Sequence, residues 1–362
     1  MVRGGKKLKV AVLMGGLSSE RDVSLSSGKQ ILDALDSSKY EVIGIDAGAI
    51  SARIQVPVSE SQKHPETVMS GKDLATGAYK LLPLDCLLNS QIRPDVAVVA
   101  LHGRYGEDGT IQGMLELLDI PYTGSGVLAS ALAMDKAMAK KVMAADGIPV
   151  PRSIDFVCTG SDWDRDWVAS RAAELGYPVI VKPSRQGSTI GMTKVTEPEC
   201  LDEAVERALK YDNRILVEEF VEGTELTVAV LGNDSPIALP VVEIVPAKGF
   251  YDYEAKYTPG ATEEIVPARI PDAVAREAQR LATTAHASLG CSGVSRTDII
   301  YAPQGRTNNL LPSGGALYVL EVNTVPGMTP TSLLPRAAEA AGISFSRLLD
   351  MLIEFALEDG RR

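Results

Sequence analysis

Short apolar runs, glycine turns and amphipathic stretches follow one another in the first third of the chain. Leu8 to Met14 is a compact apolar run that predicts a buried strand, closed by Gly15-Gly16. Beyond Arg21, the residues Val23, Leu25, Ile31 and Leu35 fit an amphipathic helix ending near Lys39. Glu41 to Ala47 predicts a second strand. Pro94 to Leu101 predicts a further buried strand that runs straight into His102-Gly103. This order is how an open α/β layer begins, and such sheets bind ligands at the carboxyl ends of their strands. Gly15-Gly16 lacks the spacing of a dinucleotide fingerprint and is read as allowing a tight turn and close ligand approach. His102 fits a satisfied structural histidine or a ligand group, and its position favours the second. Glu20 could meet a ligand ammonium or simply the start of the helix.

The middle of the chain predicts a helix from Ser130 to Ala145, another from Trp163 to Leu175, and a strand from Val179 to Pro183. Lys182 lies inside that apolar strand, where an ammonium is costly to desolvate unless it meets an anion. The following SRQGSTIGMTKV offers Gly187, Ser188, Thr189 and Gly191, whose backbone amides could wrap phosphate oxygens. It is not a Walker motif, since the GKS or GKT ending is missing. A helix from Glu199 to Leu209 and a strand from Ile215 to Val221 come next, the strand carrying Glu218 and Glu219. Glu225 stands just before the strand Leu226 to Leu231. These glutamates could accept hydrogen bonds from an adenine amino group and ribose hydroxyls; exposed strand charges explain them equally. Lys248 to Thr262 is an aromatic and charged loop, long enough to cover a site and exclude water.

Two apolar runs, SGVSRTDIIYA and ALYVLEVN, flank the polar stretch Pro303 to Gly315 and predict neighbouring antiparallel strands. Period-2 geometry puts Arg296 and Asp298 on one face of the first, and Glu321 and Asn323 on one face of the second. If those faces coincide, hard oxygen ligands suited to magnesium converge there. A solvated hairpin end with scattered charges is the competing account.

Composition narrows the function classes. The 362 residues can bury a large core in two or three domains, and a net charge of -11 argues against binding nucleic acid through its phosphates. Cys86, Cys158, Cys200 and Cys291 show no paired ligand spacing, so buried free thiols in a reducing compartment are expected rather than zinc. No signal peptide or membrane-spanning run is legible, which favours the cytoplasm.

Taken together, GGLSSERDVSLSSG, LHGRYGEDGTIQG, MDKAMAK, VKPSRQGSTIG, GFYDYEAKY, SRTDII and LEVNTVPGMTPTSLLP resemble one family in its own order: the D-alanine–D-alanine ligases of the ATP-grasp superfamily. The resemblance covers nearly the whole chain. It implies an α/β, three-domain ATP-grasp ligase with an N-terminal open α/β domain at 1–126, a central domain at 127–220 and a C-terminal domain at 221–362. It implies Lys136 and Lys182 on ATP phosphates, Glu218, Glu219 and Val221 along the adenine, and Glu225 on the ribose. Asp298, Glu321 and Asn323 would hold two Mg2+ ions, for which Mn2+ can substitute. Glu20 would take the ammonium of the first D-alanine, linked through Ser188 and Tyr257. His102 would sit beside the reacting substrate, and Lys256 would reach the phosphates. Arg296 and the Gly327 amide would face the oxyanion, while Ser332 and Leu333 would receive the carboxylate of the second D-alanine. A homodimer and a monovalent cation are further family-level expectations.

Departures from the family pattern are few. The loop after Lys182 reads GST where GSS is commoner, SRTD replaces RVD, and Pro303 to Gly315 is longer than usual. Tyr257 favours an amino acid over a hydroxy acid as second substrate. Two other readings compete: another ATP-grasp carboxylate–amine ligase, and a non-catalytic nucleotide-binding module. The intact set of lysines, Arg296 and oxygen ligands speaks against the second.

Overall fold

The computed structural model describes residues 7–49, 81–159, 162–246, 261–303, 314–329 and 331–359. The chain divides into two units: Met1–Val127 together with Val325–Arg362, and Leu128–Thr324.

The first unit is built on a parallel sheet in which β1 (Leu8–Met14) lies between β2 (Tyr40–Asp46) and β4 (Val96–Val99), with β3 (Leu82–Pro83) outside β2. Its apolar residues are continuous because both faces are covered: Val10, Ala11, Val12 and Leu13 are fully buried. Helix α1 (Arg21–Ala34) approaches β1 closely at Gly28, where a Cβ would fall 2.6 Å from that of Met14. Gly15 and Gly16 both take left-handed backbone (φ 77° and 82°) and turn the chain from β1 toward α1. The helix stops at Ala34, short of the predicted Lys39. Leu35 is extended, and Asp36 then gathers the amides of Ser38, Lys39 and Tyr40 into a turn of its own. Helix α2 (Thr110–Leu117) completes this stretch.

The second unit holds two separate antiparallel sheets. Helix α3 (Val127–Met134) leads into it and α4 (Lys136–Ala145) follows, where the sequence predicts a single helix. Asp135 divides them: it leaves helical geometry (φ -84°, ψ 92°) and its carboxylate accepts the Met138 amide as an N-cap. The four-stranded sheet runs β5 (Ser153–Val157), β8 (Arg214–Glu219), β6 (Val179–Pro183), β7 (Thr193–Val195), backed by α5 (Arg165–Leu175) and α6 (Leu201–Ala208). The six-stranded sheet runs β12 (Thr262–Ile265), β11 (Val242–Pro246), β9 (Thr224–Leu231), β13 (Val294–Ala302), β14 (Ala316–Asn323), with β10 (Ile237–Ala238) also on β9. One core joins this sheet to α7 (Asp272–Ser288) and to the apolar faces of α3 and α4, through Leu226, Val228, Val319, Leu281 and Met143.

The chain then returns to the first unit with α8 (Leu333–Ala340) and α9 (Phe345–Asp359). Val325 enters the core of the parallel sheet, and Asp350 on α9 binds both Lys39 and Tyr40 at 2.7 Å. Burial of Val325 and these bonds attach 325–362 to the N-terminal part of the chain. All four cysteines are free thiols, but Cys200 is exposed and Cys86 half-buried, so only Cys158 and Cys291 fit the expectation of burial. Among the described residues no helix is long and apolar enough to cross a membrane.

Leu226, fully buried on a central strand, should cost about 2–5 kcal/mol when cut to alanine. Leu117→Ala, at a side chain that is 90% exposed, should stay within about 0.5 kcal/mol. Urea unfolding checks both, and equal shifts would contradict the assigned core.

Candidate active site

In the second unit the strands bring oxygen ligands together as the alternation predicts. Asp298 on β13 stands directly opposite Glu321 on β14, and Arg296 opposite Asn323. The register shifts just after Asp298, which marks a bulge at this point of the sheet. Asp298 is buried. Arg296 forks onto its carboxylate at 3.0 and 2.9 Å, and Thr227 on β9 donates to it at 2.7 Å. Glu321 is approached by Lys136 Nζ at 3.2 Å, and the same ammonium donates to the Gln186 carbonyl at 2.9 Å.

Lys136 reaches this place because α4 is fixed at its first turn. The Ser184 carbonyl accepts the Lys136 amide and its hydroxyl accepts the Ala137 amide, each at 3.0 Å. That hydroxyl in turn donates to Asp135 at 2.7 Å. Ser184 follows Lys182-Pro183 at the end of β6, so the two lysines share one anchor. Lys182 does meet an anion, and it belongs to the protein: its ammonium donates to Glu218 Oε1. Lys140, one turn beyond Lys136, lies 3.0 Å from the other oxygen of Glu218. All three side chains are buried, at 7%, 4% and 3% exposure for Lys182, Glu218 and Lys140. Burial alone would raise the Glu218 carboxyl, but Lys140 and Lys182 outweigh it and hold it below the usual carboxylate range. Burial draws Lys140 below the ordinary lysine value, and Glu218 offsets only part of that. The sequence motif contained Lys140, but its spacing from Lys136 was the only signal that it would turn inward.

A cavity of about 690 Å³ lies between these groups. Lys136, Lys182, Ser188, Glu218, Glu219, Val221, Glu225, Asp298 and Glu321 line it. Arg296 and Asn323 do not. Its size and its apolar members Ile180, Met192, Phe220 and Ile300 suit a flat organic group with polar ends. Ser188 and Thr189 both adopt left-handed backbone (φ 52° and 57°), a conformation that costs energy outside glycine and gathers at ligand-binding turns. The Glu219 carboxylate accepts the Arg152 amide on one oxygen, at 2.9 Å, and the Arg152 Nε–H on the other, at 2.8 Å.

Glu20, His102, Gly327, Ser332 and Leu333 belong to the first unit. Glu20 is buried at the start of α1, yet its side chain makes no capping bond. Its carboxylate rests against Gly103, where a Cβ would come 2.7 Å from Oε2. His102 is buried beside it, with Nε2 3.3 Å from the Ser27 hydroxyl. Ser27 also accepts the Met328 amide at 3.3 Å, so one serine joins His102 to the segment that carries Gly327. The sequence reading passed over Ser27; a serine on the helical face of Val23 and Ile31 was the available clue. Gly327 lies against Ser332, whose hydroxyl accepts the Thr329 amide at 2.9 Å, and Leu333 is buried at the start of α8. Lys256 and Tyr257, with most of the covering loop, lie outside the described residues, as does most of the long 303–315 stretch.

Residues 9–125 match the family described as D-ala D-ala ligase N-terminus, and 142–354 match D-ala D-ala ligase C-terminus. The chain belongs to the D-alanine–D-alanine ligase family. A D-alanine–D-alanine ligase of Pelotomaculum thermopropionicum is 45% identical over 354 residues, 97% of this chain and 98% of that protein. One from Syntrophobacter fumaroxidans is 46% identical over 356 residues, 98% of this chain and 99% of that protein. Among solved structures, the Bacillus anthracis D-alanine–D-alanine ligase complexed with ATP superposes with a TM-score of 0.74 at 31% identity, covering 98% of this chain and 99% of that one. The VanG D-Ala:D-Ser ligase of Enterococcus faecalis gives 0.72 at 33% identity, with 97% and 100% covered. The fold is thus the ATP-grasp fold of this ligase family, an enzyme family that uses ATP.

For a ligase of this family, the cation ligands can be tested on the chain itself. Among the described residues no group of three or more His, Cys, Asp or Glu gathers as a closed metal cage. Asp298, Glu321 and Asn323 nevertheless fit magnesium, which keeps waters and takes phosphate oxygens beside one or two carboxylates.

Glu218→Gln would leave two buried ammoniums without their carboxylate. The expected loss of stability is on the order of 3–5 kcal/mol at neutral pH, read from the urea midpoint. A loss below about 1 kcal/mol, the size of a surface pair, would show that Glu218 does not hold them.

Proposed function

We propose that this chain joins two D-alanine molecules into D-alanyl-D-alanine, with ATP converted to ADP and phosphate, for peptidoglycan precursor synthesis. The observation that carries the reading is the direct opposition of Asp298 and Glu321 at the wall of a cavity that Lys136, Lys182, Ser188 and Glu225 also line. ATP would lie there with its phosphates toward Lys136 and Lys182. Its base would lie along Glu218, Glu219 and Val221, and its ribose at Glu225. Asp298, Glu321 and Asn323 would hold two Mg2+ or Mn2+ ions, which when bound offset charge on the transferring phosphoryl group.

A carboxylate oxygen of the first D-alanine attacks the γ-phosphorus, the bond to ADP breaks, and D-alanyl phosphate results. The amine of the second D-alanine, having given up a proton, then forms a bond to the carbonyl carbon. Negative charge gathers on the carbonyl oxygen, where Arg296 and the Gly327 amide would receive it. The carbon–oxygen bond to phosphate then breaks. Glu20 would hold the first ammonium, with Ser188 and Tyr257 in support. His102, fixed by Ser27, would sit beside the reacting carboxylate, and Ser332 and Leu333 would hold the second carboxylate. Lys256, on a loop that closes over the phosphates, would keep water from the acyl phosphate. No side chain need become a covalent nucleophile; orientation supplies much of the rate.

The three-domain division, a homodimer, a cytoplasmic location and a monovalent cation requirement belong to the same proposal and rest on the family likeness. One neighbour is described as a D-Ala:D-Ser ligase, so the acceptor is the finer question. Mass spectrometry of products from ATP, magnesium and D-alanine, alone and with equal D-serine or D-lactate, tests it. D-alanyl-D-alanine should dominate every mixture at neutral pH. A mixed product in equal or greater yield would contradict the proposed acceptor.

A further inference from the structure

Two ammoniums converge on one buried carboxylate in the central sheet, and that ratio is unusual. Lys182 on β6 donates to Glu218 Oε1, while Lys140 on α4 lies 3.0 Å from Oε2. A single lysine would make an electrically complete pair. The second adds a buried positive charge that must share this carboxylate, with Glu321 the next acidic group facing it, and buried charge is costly. Lys140 also lies behind the cavity. Lys182 and Glu218 line its wall, and Lys140 does not. Stability therefore gives no reason for Lys140, because methionine in its place would leave a neutral, paired Lys182–Glu218 couple.

An incoming anion supplies the reason. To bind a phosphate oxygen, the Lys182 ammonium must share or leave Glu218. In a one-to-one pair this strands a buried carboxylate without a cation, a heavy penalty against binding. With Lys140 on the other oxygen, Glu218 keeps a partner throughout and the surplus positive charge awaits the phosphate.

We infer that Lys140 is a positioning residue for nucleotide binding: it holds Glu218 so that Lys182 can turn to the phosphates. This rests on the proposal that Lys182 meets ATP. The arrangement on α4 supports it, because Lys136 one turn earlier faces the same cavity, and one rigid helix sets both charges. The inward pull of burial on Lys140, which favours loss of its proton, is the cost that the surplus charge carries.

The test is the dissociation constant of a non-hydrolysable ATP analogue on the full chain with magnesium, measured by titration calorimetry for the unaltered protein, K140M, K140R and K182M. K140M should fold with an unchanged or higher melting temperature and bind the analogue more weakly by about 100-fold or more, the scale on which a buried charge loses its partner. K140R keeps the charge and should bind within about threefold of the unaltered chain, well under the tenfold that 1.4 kcal/mol represents. Weak binding by K182M with full affinity in K140M overturns this inference alone. Full affinity in both overturns the assignment of Lys182 beneath it. A K140M chain that fails to fold also overturns the inference, because it makes Lys140 structural.

The unaltered protein gives an independent readout. The charged groups facing Lys140 are Glu218 on β8, Lys182 on β6 and Glu321 on β14. Since Lys140 titrates below the ordinary lysine value of 10.5, affinity should decline on the alkaline side before that pH. K140R should remove the early decline. An identical profile in both would contradict the inference.

Discussion

Asp298 and Glu321 face one another across a strand pair, an arrangement in which like charges repel. Much of the neighbouring chemistry is the sheet's answer to that repulsion. Arg296, two residues along the same strand, forks onto Asp298; Thr227 donates to it from β9; Lys136 reaches Glu321 from α4. Lys136 stands at the wall of the cavity, and Arg296 and Thr227 meet it through Asp298, which lines it. In the proposed reaction the pair would hold cations while Lys136 and Arg296, which quiet it in this structure, turn to phosphate and a developing oxyanion.

Helix α4 carries this logic from the large sheet to the small one. Its apolar face, with Ala139 and Met143, belongs to the core of the six-stranded sheet. Its first turn is fixed to Ser184 at the end of β6. The polar face between them sends Lys136 to Glu321 and Lys140 to Glu218. A break at Asp135 makes this possible, since a continuous helix would have given no free amides for Ser184 to engage. The capping aspartate thereby acts on two levels, ending one helix and orienting the next.

The strands and their facing residues were legible because alternation and apolar run length report burial directly. Arg296, Asp298, Glu321 and Asn323 were placed from period alone, and the cost of Lys182 in an apolar strand correctly required an anion. That the anion is Glu218 was not legible, because the pairing of β6 with β8 joins residues 36 apart in sequence. Lys140, Ser27 and the Arg152–Glu219 pair were missed for the same reason: each acts through a partner that only packing brings near. The single helix expected over 130–145 failed where a capping side chain overrode composition. The separation of 325–362 from the strands before it depends on Val325 and Asp350, whose partners lie about 200 to 300 residues earlier in the chain.

The proposed cation pair can be tested for without turnover. A crystal structure of the chain with Mn2+ and a non-hydrolysable ATP analogue, with anomalous scattering recorded at the manganese edge, locates it directly. The account predicts anomalous peaks within coordination distance, about 2–2.5 Å, of Asp298, Glu321 and Asn323 oxygens, with phosphate oxygens on the far side. Manganese bound elsewhere, with Asp298 and Glu321 still held by Arg296 and Lys136, would contradict it.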